Sequence, residues 1–570
     1  MPSKYDHLNQ EQLIRLLETR DRRARFGLVW EADEIERDQA LNSDFVALDL
    51  VPELSCPQDA AAWRNLIIEG DNFDALRHLR MAFAGQVKCI YIDPPYNTGK
   101  QDFLYNDRFV DKEDSWRHSK WCEFMFQRLM LARDLLAPDG VIFVSIDDNE
   151  LYALGFLMNR IFGESNRLAC FAWQTDGNFD NQAKVKICHE YVLAYAFKVE
   201  QFPAPPVVDP TVPKSSKLFK TQIRNTIVKN GPKNPVSAIK LPVGFPAAFR
   251  DGTVPARQNK WPKFEEDLVV VDGQLRKTTE VMSGWSSKEL CEDFIKRGCK
   301  PIRDLKGQLT RFELSPTGAV EVVKDRSEEQ SHVISVIRGF GSTQTQSVEL
   351  AKLGVVFTYP KPVELIQYLV SMVADTNALV LDFFAGSGTT AHAVHKLNAA
   401  DGGKRRVILV SSTEATQDAP DKNLCRDVCA TRVRRVIEGY TPAGSEPVPG
   451  LGGDFAYLRT RRIPAGRVLE IDHAQVWTAL QLMHRDTLAP FEPGKFCWVG
   501  DEDEAVMYLP RFRREDAPLL RKQVKRSAAV ALYSWQPRTV AQHLRAAHIT
   551  HLPISETLAR RFGLGQGGKP

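Results

Sequence analysis

Two short apolar runs, each ending in an aspartate and separated by a single helix, constrain the fold of this chain more than any other feature. Leu66-Ile67-Ile68 runs out at Glu69-Gly70-Asp71, Asn72 is placed to cap a helix with Phe73, Leu76 and Leu79 on one face, and Val87 to Ile92 has the apolar, β-branched character of a buried strand. Strand, helix and strand within so few residues require a right-handed parallel crossover, which brings Asp71 and Asp93 to the same rim of one sheet. The second strand is stopped by Asp93-Pro94-Pro95-Tyr96. Proline has a fixed φ and no amide hydrogen, so the chain turns there with its carbonyls presented. In an open α/β sheet the carboxyl-end rim is where ligands bind. Asp93 and the Pro94 carbonyl are acceptors suited to both hydrogens of an exocyclic amine, and Tyr96 offers a flat face for a planar base. The turn reads as a holder for an amino group on a heterocycle.

The alternation continues. An amphipathic helix is expected from Trp116 to Leu136, a turn at Pro138-Asp139-Gly140, a buried strand from Val141 to Asp147 and a helix from Glu150 to Phe162, the pattern of a doubly wound sheet. Asp147 and Asp148 fall on the same rim, with capping of the next helix as their expected role. From Gly163 to Gly354 the pattern gives way to short strands, turns and prolines, which reads as a separate irregular insert. Between residues 201 and 260 ten Lys and Arg, including Lys214, Lys217, Lys220 and Arg224, face only Asp209 and Asp251. Such clustering suits a phosphate backbone, whose contacts supply affinity while Asn, Gln and Arg read base edges.

After the insert, Tyr359-Pro360-Lys361-Pro362 leads into a helix, and the strand Leu379 to Asp382 enters Phe383-Phe384-Ala385-Gly386-Ser387-Gly388 before another helix. A Gly-x-Gly turn after a strand lets a ligand approach the backbone and points helix amides at it. The next strand, Arg406 to Val410, ends near Glu414, where a carboxylate can take both hydroxyls of a ribose. The pairing favours a nucleoside-bearing cofactor. It does not choose between NAD and S-adenosylmethionine, although the missing third glycine leans away from NAD. A basic helix spans residues 424–439, and the last hundred residues mix helices and strands.

Composition is that of an ordinary globular chain: 570 residues with a net charge of only +3, long enough for several domains. The start carries Lys4 and Asp6 with no apolar segment, so no signal peptide is expected, and no run approaches the roughly 18 apolar residues of a membrane span. The cytoplasm is the default location. Ten scattered cysteines, with one helically spaced pair at Cys425 and Cys429, predict neither a metal site nor disulfides.

The Asp-Pro-Pro-Tyr tetrapeptide, the Phe384–Gly388 loop and their order resemble the DNA adenine-N6 methyltransferases of the permuted β group. More closely, Leu66 to Leu76, Tyr91 to Gly99, Tyr359 to Ile366, Leu381 to Val394, Arg406 to Glu414, and Arg432 to Tyr440 followed by Gly453 to Leu458 resemble the modification (Mod) subunit of a type III restriction-modification system. The resemblance implies a Rossmann-like, circularly permuted α/β methyltransferase sheet that uses S-adenosylmethionine and double-stranded DNA, working as a homodimer and pairing with an ATP-dependent restriction (Res) subunit. It implies five segments: an N-terminal helical arm (1–60), the catalytic half of the sheet (61–164), a target-recognition insert (165–355), the cofactor half (356–460) and a C-terminal α/β appendage (461–570). Under it Asp93, Pro94, Pro95 and Tyr96 hold the flipped base; Asp382, Phe384, Gly386 and Gly388 form the cofactor loop. Lys361 and Pro362 line its methionine end, Glu414 takes the ribose and Asp71 lies beside the adenine.

The chemistry implied is direct transfer. The lone pair of adenine N6 is delocalised into the ring, so acceptors that hold its hydrogens favour the tetrahedral nitrogen that attacks a methyl group in line. Base flipping must come first, because N6 lies inside the duplex. Cytosine-N4 methylation needs the same holder and is the nearest rival. A nicotinamide-dependent oxidoreductase would use the glycine loop but leave the Asp-Pro-Pro-Tyr turn unexplained. A noncatalytic DNA-binding protein would not need the complete set of site residues.

Overall fold

A computed structural model describes residues 44–99, 104–105, 108–109, 116–175, 184–212, 222–305, 307–325, 333–416, 419–464, 467 and 470–554. The expected N-terminal helical arm up to residue 43 and the basic residues Lys214, Lys217 and Lys220 lie outside them. The chain divides into two compact units, one of Met1–Phe202 with Ile334–Pro570 and one of Pro203–Val333.

The larger unit is built on a ten-stranded sheet. Its strands are β1 (Asp44–Leu50), β2 (Leu66–Glu69), β3 (Val87–Ile92), β4 (Leu136–Ile146), β5 (Arg167–Gln174), β6 (His189–Ala196), β7 (Val336–Ile337), β8 (Leu379–Asp382), β9 (Arg406–Ser411) and β10 (Ala456–Pro464). Their spatial order is β1-β10-β2-β9-β8-β3-β4-β6-β5-β7. From β10 to β4 every neighbouring pair is parallel, whereas β1 runs antiparallel to β10 and β6 antiparallel to both β4 and β5. From β3 the chain works outward to β4; from β8 it works outward the other way to β9. The strand order therefore reverses between β3 and β8, the place where open α/β sheets bind ligands.

Local sequence explains this core. The central strands are buried on both faces, so they read as continuous apolar runs rather than alternating ones. Leu381 pairs with Ile90 across β8 and β3, and both are fully buried; truncating Leu381 to alanine would cost on the order of 2–5 kcal/mol. The helix α1 (Asn72–Phe83) buries Leu76, Leu79 and Phe83. Its cap is Asp71, which accepts from the amides of Phe73 (2.9 Å) and Asp74 (3.4 Å), and Asn72 is the first helical residue. The helices α2 (Arg117–Leu135) and α3 (Leu151–Phe162) follow as expected. The Pro138-Asp139-Gly140 turn is instead a bulge within β4: the pairing with β3 steps from Val87–Leu136 to Cys89–Val141. Neither Asp147 nor Asp148 caps α3. Asp147 closes a local turn by accepting from the amide of Asn149, and Glu150 precedes the helix with its side chain turned inward.

Three expected boundaries move. The sheet does not stop at Gly163, because β5, β6 and β7 extend it beyond β4 and the separate unit begins only at Pro203. The first sixty residues contribute β1 as an edge strand. The boundary drawn at 460 falls inside β10. The C-terminal strands β11 (Cys497–Gly500), β12 (Glu504–Leu509), β13 (Ala529–Ser534) and β14 (Ile549–Pro553) form a four-stranded sheet in that order. Tyr508 and Tyr533 from it share a core with Phe45 of β1 and Val476 and Leu480 of the helix α4 (His473–His484), so the appendage is packed onto the main sheet.

The smaller unit has its own core around Ile239, Phe245, Phe264, Phe294 and Phe312. Four strands, 302–303, 309–314, 320–325 and 222–226, form its largest sheet. Arg224 lies on the last of these and pairs with Glu313 at 2.6 Å, so its charge is met from within the unit by a carboxylate far away in sequence. Lys229, Lys233, Lys240 and Lys260 are exposed. Among the described residues no helix is long and apolar enough to cross a membrane.

Candidate active site

Five parallel strands deliver their carboxyl ends to one rim. In spatial order these carry Asp71 after β2, Glu414 after β9, Asp382 at the end of β8, Asp93 after β3 and Asp147 after β4. At about 4.8 Å between neighbouring strands, the stretch from Asp71 to Asp93 spans about 14 Å, the length of an extended nucleoside with a side arm. The sequence expectation that these acids share a rim is met, and the reversal of strand order lies between Asp382 and Asp93.

Asp93 is the centre of a charged cluster. The ammonium of Lys361 stands 2.9 Å from its carboxylate and 3.2 Å from Glu190 Oε2. The Tyr96 hydroxyl lies 3.0 Å from Asp93 Oδ1 and 2.9 Å from Glu190 Oε2, and Lys361 Nζ sits 4.9 Å from the centre of the Tyr96 ring. Burial raises the Asp93 carboxyl above its ordinary range, with Glu190 adding to the effect and Lys361 opposing it. Burial by itself would lower Lys361, but Asp93 and Glu190 together hold it above the usual lysine range.

The turn itself is locked from beneath. Trp121 Nε1 donates to the Pro95 carbonyl at 2.7 Å, which commits that carbonyl to the scaffold. Asn97 has φ +58° and donates to Glu150 Oε1 at 2.5 Å and to the Arg117 carbonyl at 3.2 Å. The inward Glu150 therefore serves the site and not the helix that follows it.

Asp382 is 3% exposed. Its oxygens accept from the Phe384 amide (3.0 Å) and the Thr390 hydroxyl (2.5 Å), which curls the chain back into the helix Thr389–Asp401. Burial pushes its carboxyl up to about 7 against those two hydrogen bonds, with Asp93 contributing a smaller rise. Gly386 has φ +50°, and a Cβ there would stand 3.3 Å from the Phe357 ring. Gly388 has φ +80°, but its missing Cβ faces Cys429 Sγ at 3.1 Å and Val433 at 3.2 Å. The second glycine is thus demanded by the chain's own packing. The ring of Phe384 lies 6.0 Å from Phe124, and the Phe124 ring carries the Arg128 guanidinium at 3.6 Å. Arg128 also holds Asp71 Oδ2 at 3.0 Å. Pro362 is buried and precedes the helix Val363–Ser371. Glu414 has φ +53° and its half-exposed carboxylate meets Lys422 at 2.8 Å.

These groups suit an adenosyl amino acid in kind: an aromatic face at Phe384, half-exposed carboxylates at Asp71 and Glu414 for an amine or hydroxyls, and a glycine turn without a side chain at Gly386. Lys361, expected to line the cofactor's methionine end, has its ammonium on Asp93. Glu190 belongs to this cluster, and the sequence alone did not single it out. It lies at the start of β6, and because β6 is antiparallel, pairing Tyr191 with Ile146, its first residues reach the rim. The apolar run Val192 to Phe197 is the signal that marks this strand.

A family model for DNA methylases (N6/N4 methyltransferases) matches residues 87–404. Among curated relatives, the type III restriction-modification enzyme EcoPI Mod subunit of Escherichia phage P1 is 33% identical over 62% of this chain and 58% of its own length. The EcoP15I Mod subunit of Escherichia coli is 28% identical over 63% and 60% respectively. The type II methyltransferase M.KpnI of Klebsiella pneumoniae is 28% identical over 67% of this chain and 88% of the relative. The chain thus spans about three-fifths of the length of these two Mod subunits. Among solved structures, the cytosine-N4-specific PvuII DNA methyltransferase aligns with a TM-score of 0.30 at 11% identity, over 65% of this chain and 86% of that one. With its model covering more than half of the residues, and running from β3 through the glycine loop, the chain belongs to the DNA methylase family.

Proposed function

We propose that this chain transfers a methyl group from S-adenosylmethionine to the N6 amino group of adenine in double-stranded DNA, as the modification and recognition subunit of a type III restriction-modification or related phage-defence system. The observation that carries the reading is the Asp93 carboxylate, locked on a proline turn beside the loop that follows β8, with Tyr96 as a flat neighbour. Bound S-adenosylmethionine supplies the electrophilic methyl group. Asp93 and the Pro94 carbonyl hold the two N6 hydrogens, so that the lone pair leaves conjugation and faces the cofactor loop. The ring of Tyr96 stacks on the flipped base. Trp121, Asn97 and Glu150 keep the turn rigid, and such positioning recovers roughly 7–11 kcal/mol of barrier. Losing one hydrogen bond to developing charge costs about 3 kcal/mol. Asp71, Phe384, Gly386 and Glu414 would hold the cofactor, with Pro362 shaping the segment beside them.

The exposed lysines of the smaller unit, together with Lys214, Lys217 and Lys220, support a role for it in gripping and reading DNA. A homodimer that pairs with a Res subunit is the expectation that goes with this reading. A second reading is a type II enzyme without a Res subunit, favoured by the match to 88% of M.KpnI. Single-molecule sequencing of DNA from cells expressing the chain reports the modified base and its context together. N6-methyladenine at one sequence, absent with Asp93→Ala, is the expected result; N4-methylcytosine would move the assignment to that amine, and an unmodified genome would overturn both.

A further inference from the structure

Two carboxylates and one ammonium share the amine-holding site, and the reaction proposed above uses only one of the carboxylates. Lys361 is 6% exposed and reaches both Asp93 and Glu190. The Tyr96 hydroxyl has a single hydrogen and lies within bonding distance of the same two acids. While Lys361 is on Asp93, its ammonium competes with a substrate amine for the same carboxylate. Expelling the ammonium into water would break a buried pair. Moving it to Glu190 would not, because Glu190 Oε2 is only 3.2 Å from Nζ.

We propose, resting on the methyl-transfer reading, that Glu190 is the second seat of Lys361: the ammonium shifts from Asp93 to Glu190 when a substrate amine docks on Asp93, and returns when the product leaves. Glu190 is then a positioning residue that acts through Lys361 and Tyr96. The exchange also balances the proton. As the N6 lone pair forms the N–C bond and the C–S electron pair goes to sulfur, one N6 proton must leave. Lys361 is already protonated and cannot take it. Asp93 can, because its carboxylate oxygens already hold the N6 hydrogen that leaves. Around this pair stand Tyr91 and Asp382 at the ends of β3 and β8, Asp147 after β4, and Tyr96 itself; Asp382 and Tyr91 feel the charge of Asp93, and Asp147 that of Glu190. Burial and Glu190 both raise Asp93, which suits an acceptor that must bind a proton and then release it.

The seat can be tested without any methylation. The full chain and its Asp93→Asn, Glu190→Gln and doubly substituted forms are labelled with an amine-acetylating reagent at neutral pH, and acetylation of Lys361 is followed by mass spectrometry. With Glu190 as an alternate seat, Asp93→Asn leaves labelling within about twofold of the parent, whereas the double variant gains on the order of tenfold or more, a tenfold rise in free amine matching each unit of lowered pKa. Asp93→Asn labelling as fast as the double variant would overturn the proposal. The second measurement is single-turnover methylation across pH on the sequence the parent modifies. Glu190→Gln should slow transfer by on the order of a hundredfold, the cost of a misplaced group, with S-adenosylmethionine affinity within about twofold, and should move the acid limb to lower pH because the charge that raises Asp93 is gone. An equal loss at every pH would reduce Glu190 to a structural role. A parent that modifies no adenine would sink the substrate assignment, while the labelling ranks would still decide the seat.

Discussion

Replacing Asp382 by asparagine isolates what the buried carboxylate at the end of β8 costs the fold. The amide is isosteric: its oxygen accepts from the Phe384 amide and its nitrogen donates to the Thr390 hydroxyl, so both partners of the parent remain. What disappears is the charge. Its folded-state pKa of about 7 lies above the ordinary 3.8, so the stability it contributes is fully present below about pH 4 and is lost as pH rises towards 7. Above pH 7 the loss is constant. About three units correspond to roughly 4 kcal/mol at 1.36 kcal/mol per unit. For a cooperative unit of roughly 440 residues, at about 2.1 cal/mol/K per residue, that is on the order of 4 °C in Tm. Thermal unfolding of the parent and Asp382→Asn in parallel from pH 4 to 9 cancels the titrating groups that do not feel Asp382, and leaves only its smaller coupling to neighbours such as Asp93. The Tm difference should be near zero at pH 4, open in favour of asparagine through pH 7 and then stay flat. A difference independent of pH would mean that the carboxylate is solvated or compensated in the folded chain, and that burial does not raise it. A gain in stability with weaker S-adenosylmethionine binding is the expected combination, because active sites keep groups that stability alone would discard.

Asp93→Ala should abolish methylation of DNA while S-adenosylmethionine still binds by calorimetry; transfer at the parental rate would remove Asp93 from the chemistry. Gly386→Leu should weaken cofactor binding at least tenfold, since φ of +50° disfavours a side chain and the Phe357 ring is 3.3 Å from its Cβ; unchanged affinity would exclude the loop from the pocket. Arg432→Met removes a fully buried guanidinium that donates to Ser387 and Thr389, both at 2.8 Å, and is expected to loosen the loop, seen as faster hydrogen exchange over residues 384–390. Replacing Lys214, Lys217 and Lys220 together by alanine should weaken binding to all DNA sequences alike and flatten the slope of log affinity against log salt by roughly 0.9 for each phosphate no longer neutralised; a change confined to one sequence would make them readers of bases.

The parallel half of the sheet was legible because its physics is local. A buried parallel strand must be apolar throughout, and an aspartate that ends one is conspicuous, so Asp71, Asp93 and Asp382 could be assigned to one rim from the sequence. Antiparallel pairing leaves weaker marks. β6 begins with His189-Glu190-Tyr191, just after Cys188; the four residues look like a loop, and nothing in them states that they lie opposite Ile146. Charge pairing across long separations was equally hidden: Arg224 looks unanswered within its own stretch of chain, yet its partner is Glu313, 89 residues away. Gly388 carries a demand that the sequence hides, since a Gly-x-Gly turn reads as room for a ligand while its missing Cβ faces Cys429.

The boundaries of the smaller unit decide how its role in recognition can be tested. An exchange of residues 165–355 with the equivalent segment of a relative would carry away β5, β6 and β7, and Glu190 with them, so lost activity would say nothing about recognition. The unit Pro203–Val333 has its own core around Phe245, Phe294 and Phe312, and its exposed lysines and loops are suited to phosphates and base edges. Exchange at those two positions leaves every rim carboxylate, Lys361 and the glycine loop in place. Sequencing of DNA from cells expressing the chimera should then report N6-methyladenine in the donor's sequence context at a level near the parent's. Methylation that kept the recipient's context would take sequence reading away from this unit. The C-terminal sheet would become the element to exchange next, although its core is shared with β1 and α4 through Phe45 and Val476, so that exchange would need compensating substitutions on the faces it buries.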